Sequence, residues 1–254
     1  MALLKTEGLS IAFGGIKAVD NVSVTIGEYG LHAVIGPNGA GKTTFFNLLT
    51  GFYRPSSGRV CFDGKDITKL PIHKRCALGL TRSFQRESVF PRFTVYENIL
   101  SALLVRRGLS LNLVTPSSKL FKGDVSAILE DIGLAELADT PAASLSHGDK
   151  KRLELGIALG TEPKMLLLDE PTAGMSPEET VSTMELIKRL GGERGVNILF
   201  TEHDMSVVFG TAQRLTVMHE GKMFFEGSPE EVRANDEVQR VYLGGQHDFR
   251  SKEY

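Results

Sequence analysis

At 254 residues the chain is long enough to bury a large core, either as one α/β domain or as two lobes. Its 29 Lys and Arg against 31 Asp and Glu give a formal net charge of −2, which excludes an overall positive field recruiting nucleic acid or an anionic membrane. The longest apolar stretches, residues 99–105 and 165–168, fall short of the roughly 20 residues that cross a bilayer, and Lys5 and Glu7 interrupt the start, which reads as no signal peptide.

Residues 1–30 alternate apolar and polar, with Val22, Val24 and Ile26 on one side, and are cut by Gly8, Gly14, Gly15, Gly27 and Gly30. That pattern predicts antiparallel strands and turns. Residues 31–51, LHAVIGPNGAGKTTFFNLLTG, then set an apolar strand, a glycine-rich loop, Gly-Lys-Thr and an amphipathic segment in the order of a phosphate-binding P-loop. Gly36, Pro37, Asn38, Gly39, Ala40 and Gly41 form the turn, whose N–H groups face inward with no Cβ obstructing them at the glycines. Lys42 adds a charge for the β- and γ-phosphates, Thr43 a hydroxyl for Mg²⁺, and Thr44 follows in a helix starting near Lys42 whose positive end faces the nucleotide. The ligand these residues point to is a nucleoside triphosphate with Mg²⁺.

Further along, RPSSG is a turn and RVCFDGKDI a short strand closed by Asp63-Gly64. From about Ser88 to Gly160 the periodicity is helical, with Val125, Ile128, Leu129 and Ile132 on one face and a loop over residues 108–118. Ser146 to Asp149 fits a capping box opening a helix that buries Leu153, Ile157 and Leu159. Strand signals return at MLLLD, NILFT and RLTVM, the βαβ rhythm of a parallel sheet, and HEGKMFFEG reads as a hairpin around Glu220-Gly221. Ser176 and Ser228 each open a helix with proline in the first turn and glutamate at the capping-box position. Cys61 and Cys76 match no metal or redox spacing and read as packing residues in a reducing compartment.

The strand MLLLD ends in two acids, which a buried strand tolerates only at its tip. Asp169 is placed to hold Mg²⁺ and Glu170 to accept a proton from the water attacking the γ-phosphate; the bland alternative is a pair that caps the next helix.

At Leu145-Ser146-His147-Gly148-Asp149 the sequence resembles the ATP-binding cassette (ABC) family, whose signature reads Leu-Ser-Gly-Gly-Gln. The resemblance implies a P-loop NTPase of α/β class, with a RecA-like parallel-sheet core, an antiparallel β subdomain and a helical subdomain. One ABC ATPase domain would span residues 1–254, its catalytic lobe being 1–87 and 161–254 and its helical subdomain 88–160. It further implies that Ser146 and Gly148 contact the γ-phosphate of ATP held by a second ATPase subunit, in a homo- or heterodimer. Gln85 would be a metal and catalytic residue linking the nucleotide to the helical lobe, and residues 173–176 a loop crossing the dimer interface. His203 would be the switch histidine, and Phe13 the aromatic on adenine, although strand packing also explains Phe13. Asp149 departs from the family's glutamine and puts a negative charge near the phosphates, which either slows turnover or is neutral.

The strings FGGIKAVDNVS, NLLTGFYRPSSG, GLTRSFQ, TVYENIL, EPTAGMSPEET, TEHDM and VYLGG are similar to the ATPases of branched-chain amino acid importers and their urea or amide relatives. That likeness implies an ATP-hydrolysing subunit powering uptake of branched-chain or hydrophobic amino acids. Its partners would be integral membrane permease subunits, docking near Phe84, Phe90 and Phe93, and indirectly a solute-binding protein, with no nucleic acid. It would sit peripherally on the cytoplasmic face of the inner membrane. The alternatives are a urea or amide importer ATPase, an ATPase of lipopolysaccharide or lipid export, and a soluble ABC protein acting on DNA or ribosomes.

Overall fold

The computed structural model describes residues 2–27, 30–83, 89–109 and 121–243. In chain order its elements begin with β1 (Ala2–Phe13), β2 (Ile16–Val22), β3 (Thr25–Gly27), β4 (Leu31–Ile35), α1 (Lys42–Thr50), β5 (Ser57–Phe62), β6 (Lys65–Asp66), α2 (Ile72–Ala77) and β7 (Leu80–Arg82). Next come α3 (Val95–Arg106), α4 (Lys122–Asp131), α5 (His147–Leu159), β8 (Met165–Asp169) and α6 (Pro177–Glu193). The chain closes with β9 (Asn197–Thr201), α7 (Met205–Thr211), β10 (Arg214–His219), β11 (Lys222–Gly227), α8 (Pro229–Ala234) and α9 (Asp236–Leu243). The backbone clusters into two compact units, Met1–Arg75 with Asn197–Tyr254, and Cys76–Val196.

In the first unit β1 pairs antiparallel with β2, β3 and β5, and β5 with β6. Val22, Val24 and Ile26 are all buried, so their alternation sets the face of this layer. A second set of strands places β4 parallel to both β10 and β9, and β11 antiparallel to β10. Every residue of β4 and β9 is buried, as a parallel strand covered on both faces requires, and only His32, Asn197 and Thr201 among them are polar. The hairpin expected around Glu220-Gly221 forms, and Asp63-Gly64, expected only to close a short strand, turns a second hairpin between β5 and β6, each turn with both residues in the left-handed region.

Two buried polar side chains hold this unit. Arg75, 1% exposed, donates to the carbonyls of Leu48, Leu49, Thr68 and Leu70, so its guanidinium satisfies the end of α1 where helical partners run out. Gly51 ends that helix at φ 81°, and a Cβ there would lie 2.7 Å from Arg75 Nε. His32, within β4, shares a 2.8 Å hydrogen bond with Thr216 Oγ1 of β10. Burial, aided by the Arg214 charge, pulls the His32 pKa from 6.5 down to about 4.

In the second unit β7 and β8 are parallel, with Leu80, Thr81 and Arg82 opposite Met165, Leu166 and Leu167. The helices α3, α4 and α5 pack closely at Gly156, where a Cβ would lie 2.7 Å from Ile132 Cδ1 and 3.3 Å from Ile99 Cδ1. Val125, Ile128, Leu129 and Ile132 are buried as the periodicity predicts. On α5, Leu153 and Leu159 are buried but Ile157 is only half-buried, while Leu155 and Ala158 are buried in addition. A single apolar stripe misdescribes α5 because most of its circumference is covered. Ser88 and residues 110–118 of the expected loop lie outside the described residues.

His32 makes stability depend on pH. Its folded pKa lies below the unfolded value, so its contribution is whole above about pH 6.5 and is lost as pH falls toward 4. At pH 5 the loss amounts to about 2 kcal/mol for this group. In thermal melts, His32→Gln, which keeps a hydrogen-bonding group without the titration, flattens the fall in Tm between pH 7 and pH 5 relative to wild type.

Candidate functional site

The glycine-rich loop leaves β4 at its carboxyl end and enters α1. Gly36 sits against the backbone, where a Cβ would lie 2.2 Å from the Met218 carbonyl oxygen. Gly41, at φ 96°, is equally tight, its notional Cβ 2.3 Å from the Ala18 carbonyl oxygen. The turn after β10 pins the loop further, since Gly221 N–H donates to the Ala40 carbonyl and Asp20 N–H to the Gly221 carbonyl. Asn38, Gly39 and Thr43 are exposed, Pro37 and Thr44 half-buried, and Ala40 buried. Lys42 is 7% exposed and its ammonium donates to the carbonyls of Gly36 and Pro37, at 2.6 and 3.1 Å, inside the curve of the loop. The N-cap of α1 is Gly41 itself, with no side-chain cap hydrogen bond, and helix N-termini of this kind offer N–H donors to anions.

The adjacent strand delivers His203 to the same edge. Leu31, His32 and Ala33 of β4 align with Ile198, Leu199 and Phe200 of parallel β9, so both strands run out together, one into the loop and the other into Glu202 and His203. Glu202 is buried and accepts from His203 N–H, whereas the His203 side chain is exposed. Carboxyl edges of parallel strands are where α/β folds collect ligands. Phe13, at the β1–β2 turn, is 44% exposed with its ring edge-on to Tyr53 at 5.2 Å, and Tyr53 in turn meets Phe52. The ring is therefore not sunk in the strand core.

In the second unit the carboxyl ends of β7 and β8 carry charge. Asp169 ends β8 with a side chain 1% exposed, and Arg82 ends β7 and donates to Asp169 Oδ2 at 2.6 Å. Glu170 follows in the left-handed region at φ 51°, half-buried, and its carbonyl accepts from Ala173 N–H. That turn aims Glu170 away from the direction continued strand pairing would give it, and such backbone strain in a non-glycine residue is held only where surroundings enforce it. Gln85, and Phe84 beside it, lie outside the described residues.

Ser146 starts α5, its hydroxyl oxygen accepting from Asp149 N–H as the sequence predicts. The box is only half formed: the Asp149 carboxylate accepts a hydrogen bond from the Ser146 hydroxyl, at 2.7 Å, instead of returning to the Ser146 N–H. Aspartate is one methylene shorter than the glutamates at Ser176 and Ser228, which do complete their boxes. Gly148 is buried against α6, its notional Cβ 2.5 Å from Glu179 Oε1, and a Cβ on Gly174 would meet His147 Nε2 at 3.6 Å. The starts of α5 and α6 thus interlock.

Sequence reasoning missed Arg82, Tyr53 and Asn98. Asn98 is fully buried and hydrogen-bonds the backbone of Phe90, Phe93 and Thr94, holding two exposed phenylalanine rings 5.2 Å apart. A charged residue closing the apolar run before Gln85 was the available signal for Arg82.

With this geometry in place, comparison with known proteins is informative. The sequence profile described as ABC transporter matches residues 19–173, and that described as branched-chain amino acid ATP-binding cassette transporter matches residues 222–248. The chain is 38% identical to the high-affinity branched-chain amino acid transport ATP-binding protein BraF of Pseudomonas aeruginosa, over 95% of this chain and 98% of BraF. It is 41% identical to the corresponding LivG protein of Salmonella typhimurium, again over 95% and 98% of the two chains. The crystal structure of the ADP conformation of MJ1267, an ATP-binding cassette of an ABC transporter, superposes with a TM-score of 0.85 at 33% identity, covering 96% of this chain and 99% of that one.

The close approach at Gly41 gives a direct test of the loop. Gly41→Ala forces a Cβ onto the Ala18 carbonyl at a positive φ. Strain and overlap of that kind cost a few kcal/mol, and we expect nucleotide affinity measured by calorimetry to fall at least about 100-fold.

Proposed function

The chain belongs to the ABC transporter family of ATP-binding proteins, and from that membership we propose that it is the ATPase subunit of an importer for branched-chain or other hydrophobic amino acids. It is an ATPase with the α/β fold of ABC cassettes. The match of residues 222–248 to the branched-chain amino acid profile carries the choice of solute. No helix among the described residues is long and apolar enough to cross a membrane, so the proposal includes separate permease subunits and peripheral attachment at the cytoplasmic face of the inner membrane. The exposed Phe90–Phe93 pair, anchored by Asn98, is the surface we assign to them. The helices α3, α4 and α5 support assigning residues 88–160 to a helical lobe and residues 1–87 and 161–254 to the catalytic lobe.

In this reading the glycine-rich loop of residues 36–44, through backbone N–H groups other than Pro37, which has none, and the Lys42 ammonium bind the β- and γ-phosphates, and Phe13, with Tyr53 against it, takes the adenine. Glu170 accepts a proton from the attacking water as its oxygen bonds to the γ-phosphorus and the bond to the β-phosphate oxygen breaks, leaving ADP and phosphate. His203 donates toward the γ-phosphate, and Ser146 and Gly148 supply donors to ATP held by a second ATPase subunit, so ATP closes the pair and hydrolysis reopens it. Oxygen donors suit Mg²⁺: the Asp169 carboxylate, the Thr43 hydroxyl and the Gln85 amide oxygen are the residues assigned to it. When bound, it would neutralise charge developing on the phosphates.

Glu170→Gln is expected to bind ATP, accumulate as a dimer in gel filtration and hydrolyse at least about 100-fold slower. Near-normal turnover would reassign the base. Lys42→Ala loses ATP binding itself, and unchanged affinity would remove Lys42 from the cradle. For the transport role, tagged Glu170→Gln protein with ATP is used to capture partners from native membranes. Permease subunits are expected, with a periplasmic solute-binding protein encoded nearby; ribosomal or DNA-bound partners would overturn the transport reading.

A further inference from the structure

The ion pair between Arg82 and Asp169 sits where the proposed chemistry needs a carboxylate for a divalent cation. Strand register explains how it arises. Arg82 is opposite Leu167 in the parallel β7–β8 pair, and Ser83 N–H donates to the Leu167 carbonyl, so the guanidinium only has to reach two residues along β8 to meet Asp169. The two side chains are 10% and 1% exposed, with Nη2 2.6 Å from Oδ2. A carboxylate so covered cannot be left uncompensated, because water does not reach it. A divalent cation and a guanidinium on the same carboxylate, however, repel each other across a few ångströms of low-dielectric interior.

We propose that Arg82 is the positioning residue of the metal site, occupying the Asp169 carboxylate as a resident cation against which the divalent ion competes, and so setting how tightly the metal binds. This rests on the assignment of Asp169 to the metal. The pair keeps Asp169 charge-balanced and oriented at the strand tip between turnovers, and metal binding with nucleotide releases Arg82 from Oδ2. Arginine suits that task better than lysine, since its planar, weakly hydrated head tolerates burial.

The test is Mn²⁺ binding to the full chain in the presence of a non-hydrolysable ATP analogue, read by electron paramagnetic resonance. Arg82→Gln removes the competing charge, and Mn²⁺ affinity is expected to rise at least about fivefold; an unchanged or weaker affinity overturns the proposal. Arg82→Lys, which retains charge and preserves the fold if glutamine does not, should tighten Mn²⁺ about twofold, and weakening there likewise overturns it. Asp169→Asn separates the two claims. If Asn weakens Mn²⁺ at least about tenfold while both Arg82 variants leave it unchanged, the competition is wrong and the metal assignment stands. If Asn has no effect, both fall.

Discussion

A strand buried on both faces has nowhere to put a charge except at its tip, and that constraint locates the chemistry of this protein. The strands β4, β8 and β9 are buried along their whole length, and the residues just beyond them are those with chemical capacity. In the first unit the tips of β4 and β9 lead into the loop with Lys42 and into Glu202 and His203; in the second, β7 and β8 end in Arg82 and Asp169. Desolvating a charge in mid-strand would cost several kcal/mol, so in each unit the apolar runs that build the core also confine reactive groups to the strand tips. His32 tests the rule from the other side. It is the one ionisable side chain inside β4, and burial keeps it neutral near physiological pH.

Backbone proximity is the second constraint, and it operates where side chains are absent. Gly36 and Gly41 are held against the Met218 and Ala18 carbonyls at distances no Cβ would permit. The loop is therefore shaped from outside by the strand ends and hairpin turn around it, as well as by the freedom of its own glycines. Preorganisation of this kind fixes the loop in advance, so that the phosphate binding proposed for it need not order the backbone. Arg75 extends the same logic to the far end of α1, fixing the helix whose start forms part of the cradle.

Much of this was legible in the sequence, for identifiable reasons. Local rules operate over a few residues: the left-handed turns at Asp63-Gly64 and Glu220-Gly221, the full boxes at Ser176 and Ser228, and the strand-loop-helix order around Gly36 all arise from neighbouring residue types. Failures came where the deciding contact is distant or turns on side-chain reach. Arg82 looks like an ordinary charge after a short apolar run until β8 lies beside it. Ile157 fits an amphipathic stripe until α5 is covered around most of its circumference. Tyr53 enters the Phe13 cluster from a different turn, and Asn98 shows its role only once the loop carrying Phe90 folds back over α3.

The half-formed box at Ser146 shows how one methylene redirects a site. With glutamate at the third helical position, as at Ser176 and Ser228, the carboxylate reaches back to the cap N–H. With Asp149 the carboxylate stops at the hydroxyl and accepts its hydrogen bond. Gly148 next to it is pressed against Glu179, the very side chain that caps α6, so the two helix starts share one polar cluster. The Ser146 hydroxyl therefore already donates to an anion of the same chain, with which an anionic ligand at that position would have to compete. Negative charge from Asp149 favours the amino end of α5 on its own, but opposes an anionic ligand arriving there. The stability of the helix start and the proposed role of the signature as a phosphate donor are thus set against each other by a single residue.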